Sequence, residues 1–350
     1  MNFLTHPPGH VEKLAPIGNT PAAVHVFDEA QIEAIDAALA TSRPLLVRGE
    51  TGIGKSQLAR AAAKALGRAY IPFVVTSHTE ARDLLWRFDA VSRLAHAQLG
   101  AALGSNKEVL VRELALRNFI APGPLWWAFD WHGARMQAKK YQPASHADGE
   151  TGGAETRLTP QQPDGGKPEA GAVVLLDEID KAELDVPNGL LEALGERSFL
   201  PEGFVERVCV TGAPPLILIT TNEERAMPDA FLRRCLVLHL GLPDVSRERA
   251  AFQALLVRRG KQHLPDLDPE VIREAARQVA DDRIEAQSEH QRPLPGQAEF
   301  IDLLHAVNEL APDDPEMQKK KLKDIACYVV GKRPCPAKKS DGAQESGIAP

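Results

Sequence analysis

Leu45-Leu46-Val47-Arg48-Gly49-Glu50-Thr51-Gly52-Ile53-Gly54-Lys55-Ser56-Gln57 passes from an apolar run through a glycine-rich turn into an Ala-rich segment, residues 57–66, that stops at Gly67. Consecutive apolar residues read as a strand covered on both faces, and the segment after the turn reads as a helix ended by glycine. Gly49 to Ser56 therefore matches G-x-x-x-x-G-K-[ST] in the strand–loop–helix setting that the pattern requires. The glycines let backbone N–H groups curl round phosphates, and the helix start adds its positive dipole end. The expected nucleotide-binding residues are Gly49, Glu50, Thr51, Gly52, Ile53, Gly54, Lys55, Ser56 and Gln57. Lys55 should reach the β- and γ-phosphates of ATP, and the Ser56 hydroxyl should coordinate Mg²⁺.

Working outward, residues 173–176 and 216–220 are apolar runs of the same kind, and 71–75 and 236–240 are similar. With residues 45–48 they predict about five strands alternating with helices, which is an α/β fold with a parallel sheet covered on both faces. The 173–176 run ends in Asp177-Glu178, at the carboxyl edge where such sheets bind ligands. Asp177 is the expected second metal ligand, acting through water, and Glu178 the residue that orients and polarises an attacking water. The 216–220 run leads into Thr221-Asn222, which places Asn222 to hydrogen-bond the γ-phosphate or that water. Arg233-Arg234 precedes the 236–240 run, and either arginine can be offered to the nucleotide of a neighbouring subunit.

Residues 1–25 read as an N-terminal extension and 26–242 as the nucleotide-binding domain. An insert at about 80–171 interrupts that domain, and its Pro-, Gly-, Thr- and Gln-rich stretch 143–171 is expected to be disordered. Asp28 and Gln31 resemble a capping box ahead of Ile32, Ile35 and Leu39. After Pro243 the character changes to four amphipathic helices, giving a small all-helical lid domain over 243–331, followed by a polar tail at 332–350 expected to be disordered. Ser246 is the expected cap of a helix ending at Gly260, and Asp268-Pro269-Glu270 the start of the next.

A net charge of -7 and a pI near 5.9 argue against a surface built to neutralise many phosphates, so nucleic acid is a secondary option. The lysines at 319–321 and Lys323 read as the solvated face of the last helix. Four cysteines without a C-x-x-C pair suggest neither a zinc site nor a disulfide framework. No apolar run approaches the roughly 20 residues of a membrane helix, and residues 1–18 carry Pro7, Pro8 and Gly9 where a signal peptide needs an apolar core. A cytoplasmic protein without membrane association is expected.

The ordered set of Gly49–Ser56, Asp177-Glu178, Asn222, Arg233-Arg234 and a four-helix lid resembles the AAA+ ATPase family over about residues 27–331. Within it the chain looks most like the MoxR branch, related to the McrB and dynein-type modules. Phe119-Ile120-Ala121-Pro122-Gly123-Pro124-Leu125 resembles that branch's insert in the helix after the second strand. Asp177-Glu178-Ile179-Asp180-Lys181-Ala182 resembles its D-E-I-N-[RK]-A, with Asp180 where Asn is commoner, and Leu190-Leu191-Glu192-Ala193-Leu194-Gly195-Glu196-Arg197 resembles a further branch helix. The resemblance implies a ring, usually a hexamer, that remodels or activates a protein partner, often one carrying a von Willebrand factor A domain. The alternative is a nucleic-acid-associated ATPase, a McrB-like motor or DNA-defence component. One departure stands out: Pro295-Gly296-Gln297-Ala298 has Ala where the branch commonly has a lid arginine, a role that Arg292 or a neighbour would have to fill. Absence of N-K-x-D after Thr221 speaks against GTP, and absence of L-S-G-G-Q against a transporter ATPase. Trp126, Trp127 and Trp131 read as packing residues before they read as a binding box.

Overall fold

The computed structural model describes residues 3–18, 20, 22–104, 106–141 and 154–331. They divide into two compact units, one within residues 1–241 and one that begins at residue 242.

The first unit opens with an antiparallel pair, β1 (Val11–Leu14) and β2 (Ala23–Val26), followed by α1 (Glu29–Thr41). The Asp28 N–H donates to Gln31 Oε1 at 3.1 Å, one half of the capping box read from the sequence. Next come β3 (Leu45–Gly49), α2 (Lys55–Ala65) and β4 (Arg68–Val74). β4 begins earlier than the expected 71, because Ala69 and Tyr70 also pair with a neighbouring strand.

The insert follows, as two short antiparallel strands, β5 (Trp86–Phe88) and β6 (Ile120–Pro122). Between them lie α3 (Ala90–Ala102) and α4 (Lys107–Glu113). Gly123 then sits against backbone, where an added Cβ would lie 2.6 Å from the Asp83 carbonyl oxygen, so the turn after β6 tolerates no side chain. Helices α5 (Pro124–Phe129), α6 (Trp131–Lys140) and α7 (Ala154–Leu158) lead to β7 (Lys167–Asp177). The stretch expected to be disordered is thus ordered where it is described: residues 142–153 lie outside the described residues, but α7 and the start of β7 fall within 154–171. Gln162 supplies a reason, since its side-chain amide accepts from Tyr70 N at 2.7 Å and donates to Tyr70 O at 2.9 Å, which ties this segment to β4.

The unit closes with α8 (Asp185–Glu196), the hairpin β8 (Ser198–Phe199) and β9 (Val208–Cys209), then β10 (Leu216–Thr221), α9 (Asp229–Leu232) and β11 (Leu236–Leu240). Among the described residues the main sheet has five parallel strands in the order β11-β3-β10-β7-β4. Alternation along the strands divides its two faces. Leu45, Val47, Val173, Leu175 and Leu218 pack with Ile35 of α1 and Leu58 of α2, whereas Leu46, Val174, Leu176 and Ile219 pack with Trp127 of α5 and Leu190 of α8. Trp126 and Trp127 are buried in the second of these clusters and Trp131 packs against it, so the packing reading holds for all three.

The second unit consists of α10 (Arg249–His263), α11 (Pro269–Ser288), α12 (Gln297–Leu310) and α13 (Pro315–Ala326), ending in a π turn at Cys327–Gly331. Asp268 caps α11 as expected, accepting from the Glu270 and Val271 amides. Ser246 does not cap α10: its hydroxyl donates to Gln287, and Glu248 takes the N-cap position. Nor does Gly260 end that helix. A Cβ there would lie 2.8 Å from Ile272, 3.0 Å from Leu304 and 3.1 Å from Phe300, so the glycine serves close helix packing, not termination. Arg283, buried in this unit, donates to the Pro295 carbonyl at 2.8 Å and lies over the Phe252 ring. Cys209 and Cys235 are free. The expected tail at 332–350 lies outside the described residues.

Candidate active site at the carboxyl edge of the sheet

β3 delivers the glycine-rich turn beside β11, and Gly49 is required by that proximity: a Cβ would meet the Leu240 carbonyl oxygen at 2.2 Å. Gly54, at φ 96°, turns the chain through the left-handed region into α2. Lys55 and Ser56 then occupy the first turn of that helix and Gln57 follows them, while Thr51 and Gly52 lie exposed at the loop's tip. The buried Lys55 ammonium donates to the carbonyls of Gly49 at 2.7 Å and Glu50 at 2.9 Å, and to Asn222 Oδ1 at 2.7 Å. Burial pulls its pKa below the ordinary lysine value, while Asp177, Asp180, Glu178 and Glu223 act to raise it.

β7 and β10 pair in register and bring the other groups alongside. Ser56 Oγ donates to both Asp177 oxygens, at 2.8 and 2.9 Å, so one hydroxyl and one carboxylate share a small volume suited to a hard cation with oxygen ligands. Thr220 Oγ1 donates to Asp177 Oδ1 at 2.6 Å and accepts from the Glu178 amide at 2.8 Å. Glu178 itself has left-handed backbone, φ 60° and ψ 51°, a conformation that costs a non-glycine residue of the order of 1 kcal/mol and is characteristic of functional sites. Its Oε1 lies 3.4 Å from Asn222 Nδ2, and its Oε2 is bound by Lys181. Asn222 therefore bridges Lys55 to Glu178.

Two residues were missed as site builders from sequence. In the sequence Thr220 is only the end of a buried strand, although a hydroxyl one strand over from Asp177 is a signal once the strand order is known. Asp180, buried to 2 % exposure, accepts through Oδ2 from the amides of both Asn222 and Glu224 at 3.1 Å. It thereby fixes the turn at the end of β10, in which Glu223 also has φ 62° and pairs with Arg48 at 3.4 Å.

Arg233 and Arg234 stand apart from this cluster; among the described residues no hydrogen bond or ion pair joins either to Lys55, Asp177, Glu178 or Asn222. Arg43 holds their backbone by donating to the carbonyls of Arg233, Arg234 and Cys235. The two side chains differ. Both are exposed, but Arg234 donates to the Leu191 carbonyl at 3.0 Å, whereas Arg233 makes no described side-chain bond.

Residues 44–235 match the model of the AAA domain, dynein-related subfamily. The chain belongs to this AAA family. Its AAA domain thus takes in β3 to the end of α9, including every residue of the cluster above. Among solved structures it is similar to NtrX from Brucella abortus, solved in complex with ADP, at 12 % identity and TM-score 0.45 over 91 % of this chain and 58 % of that one. It is also similar to a putative ATPase from Cytophaga hutchinsonii, at 14 % identity and TM-score 0.34, over 87 % of this chain and 80 % of that one. No curated protein matches the sequence. Among the described residues no helix of this AAA protein is long and apolar enough to cross a membrane.

Proposed function

We propose that this AAA domain binds Mg·ATP and hydrolyses it, within a ring of like subunits, to remodel or activate a protein partner in the cytoplasm. The observation that carries the hydrolysis is the Lys55–Asn222–Glu178 chain, which links the phosphate-binding lysine to the carboxylate placed for water. Ser56 and Asp177 would hold Mg²⁺, which would supply positive charge against the negative charge that builds up on the phosphates. Lys55 exchanges its carbonyl partners for the β- and γ-phosphate oxygens. Glu178 orients a water and takes its proton as the water oxygen bonds to the γ-phosphorus and the bond to the β–γ bridging oxygen breaks, leaving ADP and phosphate. Asn222, held at its amide by Asp180, keeps the water in line. Of the two arginines, Arg233 is the one free to reach a neighbour's γ-phosphate, because Arg234 is tied to α8. Ring formation and the protein partner rest on the resemblance to the MoxR branch, and the acidic net charge of -7 favours a protein over nucleic acid.

Glu178→Gln should retain ATP and assemble while its kcat falls by about 10³-fold; normal turnover would remove Glu178 from the base role. Mixing Arg233→Ala subunits with Lys55→Ala subunits should restore part of the hydrolysis that each lacks alone. No recovery in the mixture would place the finger elsewhere.

A further inference from the structure

The N-terminal extension holds a cluster that nucleotide chemistry does not use. His6-Pro7-Pro8-Gly9-His10 folds into a turn in which the His10 amide donates to the Pro7 carbonyl at 3.1 Å. The turn is anchored on the chain after β2, with Gly9 N donating to Phe27 O at 2.8 Å and Phe27 N to His10 O at 3.1 Å. It stacks the two imidazoles, with centroids 4.0 Å apart and planes 7° from parallel, so their in-plane nitrogen lone pairs run side by side and one ring must turn about its side-chain torsion before both reach one ion. His10 and Glu12 are two residues apart on an extended chain, so they share a face, and His10 Nε2 lies 3.4 Å from Glu12 Oε2. One ligand atom from each of His6, His10 and Glu12 falls within 4.8 Å of the others.

We propose that His6, His10 and Glu12 form a binding site for a divalent first-row transition cation of the Zn²⁺ class. Two imidazoles and a carboxylate suit Zn²⁺ and its neighbours, whereas Mg²⁺ takes oxygen ligands almost alone, so the site is chemically distinct from the one at Ser56 and Asp177. Three protein ligands leave the remaining position to water. Glu12 divides its oxygens: Oε1 accepts from Lys64 of α2 at 3.1 Å, and Oε2 faces His10. The cation therefore joins the N-terminal segment to β1 and, through Glu12 and Lys64, to the helix that begins with Lys55 and Ser56. Lys64 also sets the affinity, because its positive charge opposes a second cation on the same carboxylate.

The test is calorimetric titration of ZnCl₂ into the untagged full chain, after stripping with EDTA and desalting. One equivalent should bind, millimolar Mg²⁺ should leave that binding in place, and the Cys209→Ser/Cys235→Ser variant should bind alike. His6→Ala/His10→Ala should lose at least about 100-fold in affinity, and Lys64→Ala should gain about tenfold as the opposing charge is removed. The thermal midpoint of each variant without metal shows whether it remains folded, and His6→Gln alone serves if the double variant does not. Absence of a tight equivalent, undiminished binding in the histidine variants, or weaker binding in Lys64→Ala overturns the proposal.

Discussion

The carboxyl edge of the sheet and the helical unit are held together by opposite means. At the edge, Lys55, Ser56, Asp177, Glu178, Asp180, Thr220 and Asn222 converge through polar bonds, and both Glu178 and Glu223 have left-handed backbone. In the helical unit the interior is Phe252, Leu256, Val271, Ile272, Phe300, Leu303 and Leu304, with Gly260 letting α10 approach its neighbours. Polar convergence fixes directions of charge and hydrogen bonding, which chemistry needs, and tolerates local strain. Apolar interdigitation fixes volume. Substitutions should therefore separate the two: at the edge they should remove activity with little change in folding, and in the helical unit they should lower stability first.

The largest separation is expected from Lys55→Ala. Loss of the charged contact to the phosphates should reduce ATP affinity beyond about 100-fold, read with a fluorescent nucleotide. Burial already disfavours this ammonium, so the unfolding midpoint should barely move. A large fall in that midpoint would break the contrast, because the edge would then be structural as well. Phe300→Ala should do the converse, costing about 3–5 kcal/mol in denaturant unfolding through lost burial and an unfilled cavity. A cost near zero would mean that the helical unit is loosely packed.

A smaller effect should come from pH. His263, at the end of α10, has its pKa lowered to about 4, mainly by burial and further by His305 and Arg259. The unfolded chain binds this proton near pH 6.5 and the folded chain only near 4, so the unfolded state holds more protons between those values. Stability is then full above pH 6.5, declines as pH falls towards 4 and levels off below it. His263→Gln should flatten this part of the pH profile of the urea midpoint. An unchanged slope would assign the acid sensitivity to other groups.

Much of the edge was legible in the sequence because it is written in local patterns. The residues 45–48 strand, the turn to Lys55-Ser56 and Asp177-Glu178 each announce their place by short-range chemistry. Thr220 and Asp180 were not legible as site builders, since their roles depend on which strands are neighbours and on a turn held from 42 residues away in the chain. The contrast between Arg233 and Arg234 is of the same kind, because adjacent identical residues differ only in what Leu191 offers one of them. In the helical unit the apolar spacing gave the helices, but the hydroxyl of Ser246 and the missing side chain of Gly260 had local meanings, cap and stop, that tertiary packing overrode. The 154–171 stretch misled for a related reason: its composition lacks periodicity, yet Gln162 needs only one amide to be ordered against a strand.

That amide has a consequence for how the sheet ends. β4 is one of the sheet's two borders, and such a border is a template on which a foreign strand can grow. By giving Tyr70 one acceptor and one donor, Gln162 imitates a single residue of a further strand and stops there. Pro72, two residues on, brings no N–H of its own. Together they leave this border with fewer free groups on which a further strand could pair.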